Sequence, residues 1–196
     1  MEGVISSITY HSEVELLTVL GIPGSLRRAS LNRALLRAAV SLAPSGMTVE
    51  IADLCDIPPY NFDDEGAPPP SVVELKRRIR AADAILIATP EYNYSVPGVL
   101  KNAIDWAARP LGDSAWESKP VAVLGASVSS LGTSRAQYHL RQTLTALNCY
   151  TLNRPEALIG QADRKFDVAG NLTDEKTKEL ISQLLAALAA WTRKVR

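Results

Sequence analysis

Gly24, Ser25, Arg27, Ser30 and Asn32 crowd into PGSLRRASLN (23–32), a stretch that follows the apolar run LLTVLGI (16–22) and precedes a segment with helical period. Gly24 lets the backbone turn tightly, Ser25 and Ser30 offer hydroxyls, Asn32 an amide, and Arg27 a fork of charged donors. A helix beginning near Leu31 would aim its free backbone N–H groups and the positive end of its dipole at the same point. Together these groups make an anion cradle, suited to a phosphate. Taken singly, Ser30 reads as a helix cap and Arg27 as a solvated side chain. The whole set, directly after a strand, is what points to phosphate. Neither GxxxxGK followed by Ser or Thr nor GxGxxG occurs, which argues against a P-loop and a dinucleotide-binding turn. A loop of hydroxyls and amides without lysine suits a tightly held monophosphate.

A second stretch, PEYNYSVPG (90–98), sets Tyr92 and Tyr94 around Asn93 between two prolines. Tyrosine rings can lie against a flat ligand, and backbone N–H groups can point at ring nitrogens and oxygens, so a planar heterocycle fits. The alternative is an ordinary turn leading into a helix with Pro97 at its start. Rival chemistries find little. The two histidines, His11 and His139, lack both HExxH and GxSxG around them, and Cys55 and Cys149 form no CxxC pair. His139 reads as a packing or interface residue. The acids Glu91, Asp105 and Asp83 fall on different elements, Asp83 at a strand entry.

The elements that must position these residues are readable from periodicity. LLTVLGI, AILIAT (84–89) and VAVLGAS (121–127) are nearly continuous apolar runs, as in strands covered on both faces, while TVEIADL (48–54) alternates like an edge strand. EALIG (156–160) is a weaker fifth candidate. Helical segments intervene at 31–43, 72–82, 99–108 and 134–147, and a last one at 174–194 carries acids early and bases late. The alternation predicts right-handed βαβ units: an α/β three-layer sandwich with a five-stranded parallel sheet. Ligands bind such sheets outside the carboxyl ends of the strands, which singles out loops 23–32, 90–98 and 126–134. DDEGAPPPS (63–71) is expected to be an exposed connection.

The chain has 196 residues, 46% of them hydrophobic, enough for one well-buried core; residues 16–196 are read as one domain and 1–15 as a flexible extension. Lys+Arg and Asp+Glu both number 21, so no net field favours nucleic acid or an anionic membrane, and no signal peptide or membrane span is recognisable. Unpaired cysteines and small-molecule chemistry fit a cytoplasmic protein.

GSLRRASLN, TPEYNYSVPGVLKNAIDWAARP and SRAQYHLRQTL together resemble the flavodoxin-like NAD(P)H-dependent FMN reductase family, most closely its chromate, quinone and azo-dye reductase members. The resemblance runs from about Leu16 to the final helix and implies sheet order 2-1-3-4-5 and one non-covalent FMN. It implies that Ser25, Arg27, Ser30, Leu31 (backbone) and Asn32 hold the phosphate, that Pro90, Glu91, Tyr92, Asn93 and Tyr94 line the isoalloxazine, and that Ser127 closes the other side. The flavin N5 would carry the chemistry, with NADPH or NADH as donor and quinones, azo dyes, chromate or free flavin as acceptors. Arg109 would either anchor the donor's phosphates or be a solvated helix-end residue. A homodimer or homotetramer is implied, with Trp106, Trp116 and Tyr138 partly interfacial, core packing being an equally good reading of Trp106. SVSSLGTSRA departs from the family in keeping only Gly132 in the third loop. A flavodoxin-like electron carrier and a flavin-binding regulator are the competing readings.

Overall fold

The computed structural model describes residues 16–196, so the extension at 1–15 lies outside the described residues. Five helices and a parallel sheet are built from β1 (Leu17–Pro23), α1 (Leu31–Leu42), β2 (Met47–Ile51), α2 (Pro70–Ala81), β3 (Ala84–Ala88), α3 (Gly98–Ala107), β4 (Pro120–Ala126), α4 (Ser134–Ala146), β5 (Tyr150–Thr151), β6 (Ala157–Ile159) and α5 (Glu175–Val195). The order is β2-β1-β3-β4-β5, all parallel, with β6 also on β4. This is the flavodoxin-like arrangement. Val19 faces Ala84 across β1 and β3, and Ile85 faces Val121 across β3 and β4.

Side chains alternate across each strand and so feed two separate cores. Leu17, Val19, Leu86 and Leu124 pack with Leu35 and Leu36 of α1 and Leu184 and Leu188 of α5. Leu20, Ile22, Ile85, Ile87 and Val123 point the other way, onto Ile79 of α2, Ile104 of α3 and Leu140 of α4. The two faces explain the unbroken apolar runs of β1, β3 and β4. β2 stands at the edge, and its alternating burial follows.

The fifth position differs from the single strand expected there. β5 pairs with the first residues of β4 and β6 with the last, and residues 152–156 interrupt the ladder between them. Pro155 in that gap has no N–H to give a neighbouring strand. The proline-rich connection also differs in part, because Pro70 already opens α2, where a missing N–H costs nothing. Trp106 and Trp116, expected to be partly interfacial, are each only 1% exposed: their indole N–H groups donate to Pro58 O and Ile104 O inside the chain. Tyr138 is exposed, and its hydroxyl donates to Glu156. Asp83 sits between α2 and β3, as its reading required, accepting from Thr18 N at 2.7 Å.

Candidate functional site

β1, β3 and β4 end side by side, and the loops that leave them meet at the carboxyl edge of the sheet. In the first loop, Ser30 is the N-cap of α1: its Oγ accepts from Arg33 N at 3.2 Å, which leaves the hydroxyl proton to donate elsewhere. Ser25 Oγ accepts from Arg27 N at 3.3 Å, folding the loop back on itself. Both serines are buried, whereas residues 26–29 are exposed. The backbone N–H groups of Ser25, Leu26, Arg28, Ala29, Leu31 and Asn32 have no acceptor among the described residues, and neither has the Arg27 guanidinium. Gly24 lies against Pro90 and Ala88 O, where an added Cβ would stand 3.0 and 3.1 Å away.

Asn32 is turned to a different task from the one its type suggests. Its Nδ2 donates to Ala126 O at 2.9 Å and its Oδ1 accepts from Ala126 N at 2.8 Å, both bonds buried. The amide thus mimics a strand neighbour at the end of β4 and pins the start of α1 there. Only its backbone N–H remains open toward the cradle.

The second loop is a tight hairpin. Tyr92 and Ser95 exchange backbone hydrogen bonds of 3.0 Å in both directions, and the two residues between them, Asn93 and Tyr94, have φ of 49° and 68°. Paired left-handed residues are what a two-residue turn of this hand demands. Asparagine accepts that conformation readily, but a bulky tyrosine does so only when its surroundings hold it. Arg135 supplies the hold, its guanidinium lying 3.7 Å from the centroid of the Tyr94 ring. Ser95 Oγ is hydrogen-bonded to His139 Nδ1 at 3.0 Å, and Tyr92 OH lies 3.3 Å from Ser25 Oγ, tying the hairpin to the first loop.

Glu91 does not present its carboxylate to the cleft. It accepts from Arg135 N at 3.0 Å, Ala136 N at 3.2 Å and Arg135 Nε at 2.5 Å, and so caps the N-terminus of α4. Only 7% of its side chain is exposed. Any part Glu91 plays in lining a ligand therefore falls to its backbone. Pro90 is buried beneath the hairpin.

The third loop continues from β4. Ser127 N donates to Ile159 O, prolonging the ladder with β6, and Ser127 Oγ accepts from Ser129 N at 3.2 Å. Its single internal glycine, Gly132, has φ of 62° and sits on the Leu158–Ile159 backbone. Two further glycines that sequence reading did not attach to this loop complete it. Gly125 lies beneath Thr133 and Thr89 O, and Gly160, just past β6, lies beneath Ser129 O and Ser130 O. The sparse glycine count of the loop itself is offset by glycines on the strands that support it.

Arg109 is not brought to these loops. α3 starts at the hairpin and runs about 15 Å away from it, and Arg109 follows its last turn, its Nε 3.7 Å from Glu65 Oε1. Within the chain it braces the connection before α2, where Tyr60 also donates to Glu65. The thiols stand apart as well. Burial pushes Cys149 up to about 12, and a hydrogen bond with Asp53 raises Cys55. Iodoacetamide is therefore expected to label Cys149 far more slowly than an unperturbed thiol, as mass spectrometry of the native protein would show.

With the site in view, its relatives can be compared. Residues 17–164 match the model of the NADPH-dependent FMN reductase family. An NAD(P)H-dependent FMN reductase of Pseudomonas aeruginosa is 54% identical over 181 residues, which are 92% of this chain and 97% of that protein. A 2-hydroxy-1,4-benzoquinone reductase of a Burkholderia species is 42% identical over 177 residues, 90% of this chain and 97% of the relative. Among solved structures, the flavoenzyme NAD(P)H:(acceptor) oxidoreductase of Paracoccus denitrificans superposes with a TM-score of 0.84 at 39% identity, covering 91% of this chain and 98% of its own. The chain belongs to the NADPH-dependent FMN reductase family.

Proposed function

We propose that the protein holds one FMN non-covalently at the carboxyl edge of the sheet and uses it to pass reducing equivalents from NADPH or NADH to quinones, with azo dyes, chromate and free flavin as further acceptors. The observation that carries this reading is the first loop: a run of backbone N–H groups and an Arg27 guanidinium without acceptors among the described residues, with two buried serine hydroxyls, at the N-terminus of α1. That donor set fits a phosphate dianion. Tyr92 and Tyr94, 50% and 68% exposed beside it, fit a planar ring system.

When bound, FMN supplies the two-electron redox chemistry, taking a hydride equivalent from nicotinamide and yielding it to the acceptor. The chain's own part is binding and orientation. Arg27, Ser25, Ser30 and the N–H of Leu31 hold the phosphate. The backbone N–H groups of Asn93 and Tyr94, which have no acceptor among the described residues, would be donors to the bound ring and would favour its electron-rich reduced form. Asn32 and Glu91 act one step back, fixing the first loop to β4 and the hairpin to α4. Ser127 shapes the third loop, which closes the ring's other side.

The names of the relatives support quinones as the acceptor class. A homodimer or homotetramer, which light scattering would detect, is the assembly that the resemblance to the family implies. Among the described residues no helix is long and apolar enough to cross a membrane. The functional test is NADPH oxidation by purified, FMN-loaded protein with a benzoquinone as acceptor. Sustained turnover with ping-pong kinetics and no protein partner is expected. Turnover only when a partner protein is added would make the chain a carrier, and flavin binding without turnover would make it a regulator.

A further inference from the structure

A cleft of about 440 Å³ opens between the start of α1 and residues 166–170, and nothing in the reading above uses it. Ser30 and Leu31 line it, so it is continuous with the phosphate cradle. Past Arg37 it runs into a second hollow of about 500 Å³ bordered by Asn171 and Lys178. Its walls are apolar on one side, with Ala29, Ala34, Phe166 and Val168, and cationic at the rim, with Arg28 and Arg37.

The charges do not cancel locally. The Arg28 guanidinium has no partner among the described residues, and Arg37 donates only to the neutral Gly170 O, at 3.3 Å. The one carboxylate lining the cleft, Asp167, already accepts from Asn171 N at 2.8 Å and from Asn171 Nδ2 at 3.0 Å, bonds that shape the 167–171 turn. The turn ends in a fully exposed Val168, an apolar side chain held at the cleft's mouth. Two arginines without carboxylate partners among the described residues, beside an apolar, partly aromatic wall, match a phosphorylated adenosine: the guanidinium forks suit phosphate oxygens and the wall suits the flat base.

We propose that this cleft receives the adenosine 2′-phosphate end of NADPH, with Arg28 and Arg37 reading the phosphate that NADH lacks. The inference rests on the FMN reading above. Because the cleft shares Ser30 and Leu31 with the first loop, a dinucleotide extending along a bound FMN toward its phosphate would bring its distal end here. It also explains why no ribose-reading residue appears at the spacing used by dinucleotide-binding turns: the discriminating arginine adjoins the cradle itself.

The test pairs binding with kinetics. Calorimetric titration of the FMN-loaded protein with 2′,5′-ADP and with 5′-AMP is expected to show tighter binding of the former, lost in Arg37→Ala, a change outside the phosphate cradle. In the same variant kcat/KM for NADPH should fall about tenfold, the usual scale for a lost charge-assisted hydrogen bond, while kcat/KM for NADH and the flavin content stay unchanged. Val168→Glu, at an exposed tip where folding is not at stake, should produce the same selective loss by placing a carboxylate at the mouth. Equal affinity for the two nucleotides, or equal loss with both donors, would overturn the proposal while leaving the FMN reading intact. Failure of the wild-type protein to retain FMN would instead overturn the reading on which it rests.

Discussion

Asn32→Ala is expected to destabilise the protein by about 2–5 kcal/mol and to weaken FMN binding, although the side chain donates nothing to a ligand. The amide satisfies both the N–H and the C=O of Ala126, and all four groups are buried. Removing it leaves two backbone groups without partners, each costing about 1–3 kcal/mol. Asn32→Asp should be no better, because a carboxylate oxygen would replace the donor that Ala126 O requires. The loss of FMN affinity follows from geometry: the N–H groups of Leu31 and the Ser30 cap are positioned by the same anchor between α1 and β4. Urea unfolding and FMN titration of both variants measure the two effects. Wild-type stability combined with lost FMN would show that the amide acts on the ligand and not on Ala126.

Gly160→Ala is the second large effect, and it acts by displacement. A Cβ at position 160 would stand 2.4 Å from Ser130 O and 2.9 Å from Ser129 O, both backbone atoms that cannot rotate aside. The loop 127–133 must therefore move away from β6, at a cost of about 1–3 kcal/mol typical of overpacking. Its hydrogen bond from Gln161 N to Ser129 O is strained by the same shift. FMN affinity and turnover should fall together, while Gly98→Ala, where nothing lies within 4 Å of the added carbon, should leave both unchanged. Thermal unfolding alongside kcat/KM for a benzoquinone separates a moved loop from a general loss of fold. An unaltered kcat/KM in Gly160→Ala would remove the third loop from the site.

Much of this architecture was legible because burial on both faces leaves a plain mark. β1, β3 and β4 each supply one core with odd positions and the other with even ones, so their sequences are apolar throughout, and the loops after them could be located without a structure. The first loop was legible because small donors cluster where a strand gives way to a helix. Residues bonded across long sequence separations were not. Asn32 and Ala126 are 94 positions apart, and nothing in LNRALL reveals that the amide faces a strand end. Glu91 reads as a site acid until α4 is placed against it, 44 residues on. Gly160 looked like the end of a weak strand, and only the packing of the third loop on β6 gives it a purpose. Arg109 shows the same limit: its type suits either a phosphate anchor or a helix-end residue, and its ion pair with Glu65 appears only once α3 is placed.

The most direct test of the account compares FMN with riboflavin, which has the same ring but no phosphate, by calorimetric titration of cofactor-free protein. If the loop at 23–32 grips the phosphate, FMN binds once per chain and far more tightly than riboflavin, and Arg27→Ala narrows the gap by weakening FMN alone. Equal affinity for the two flavins, or a gap untouched by the loss of Arg27, would contradict it.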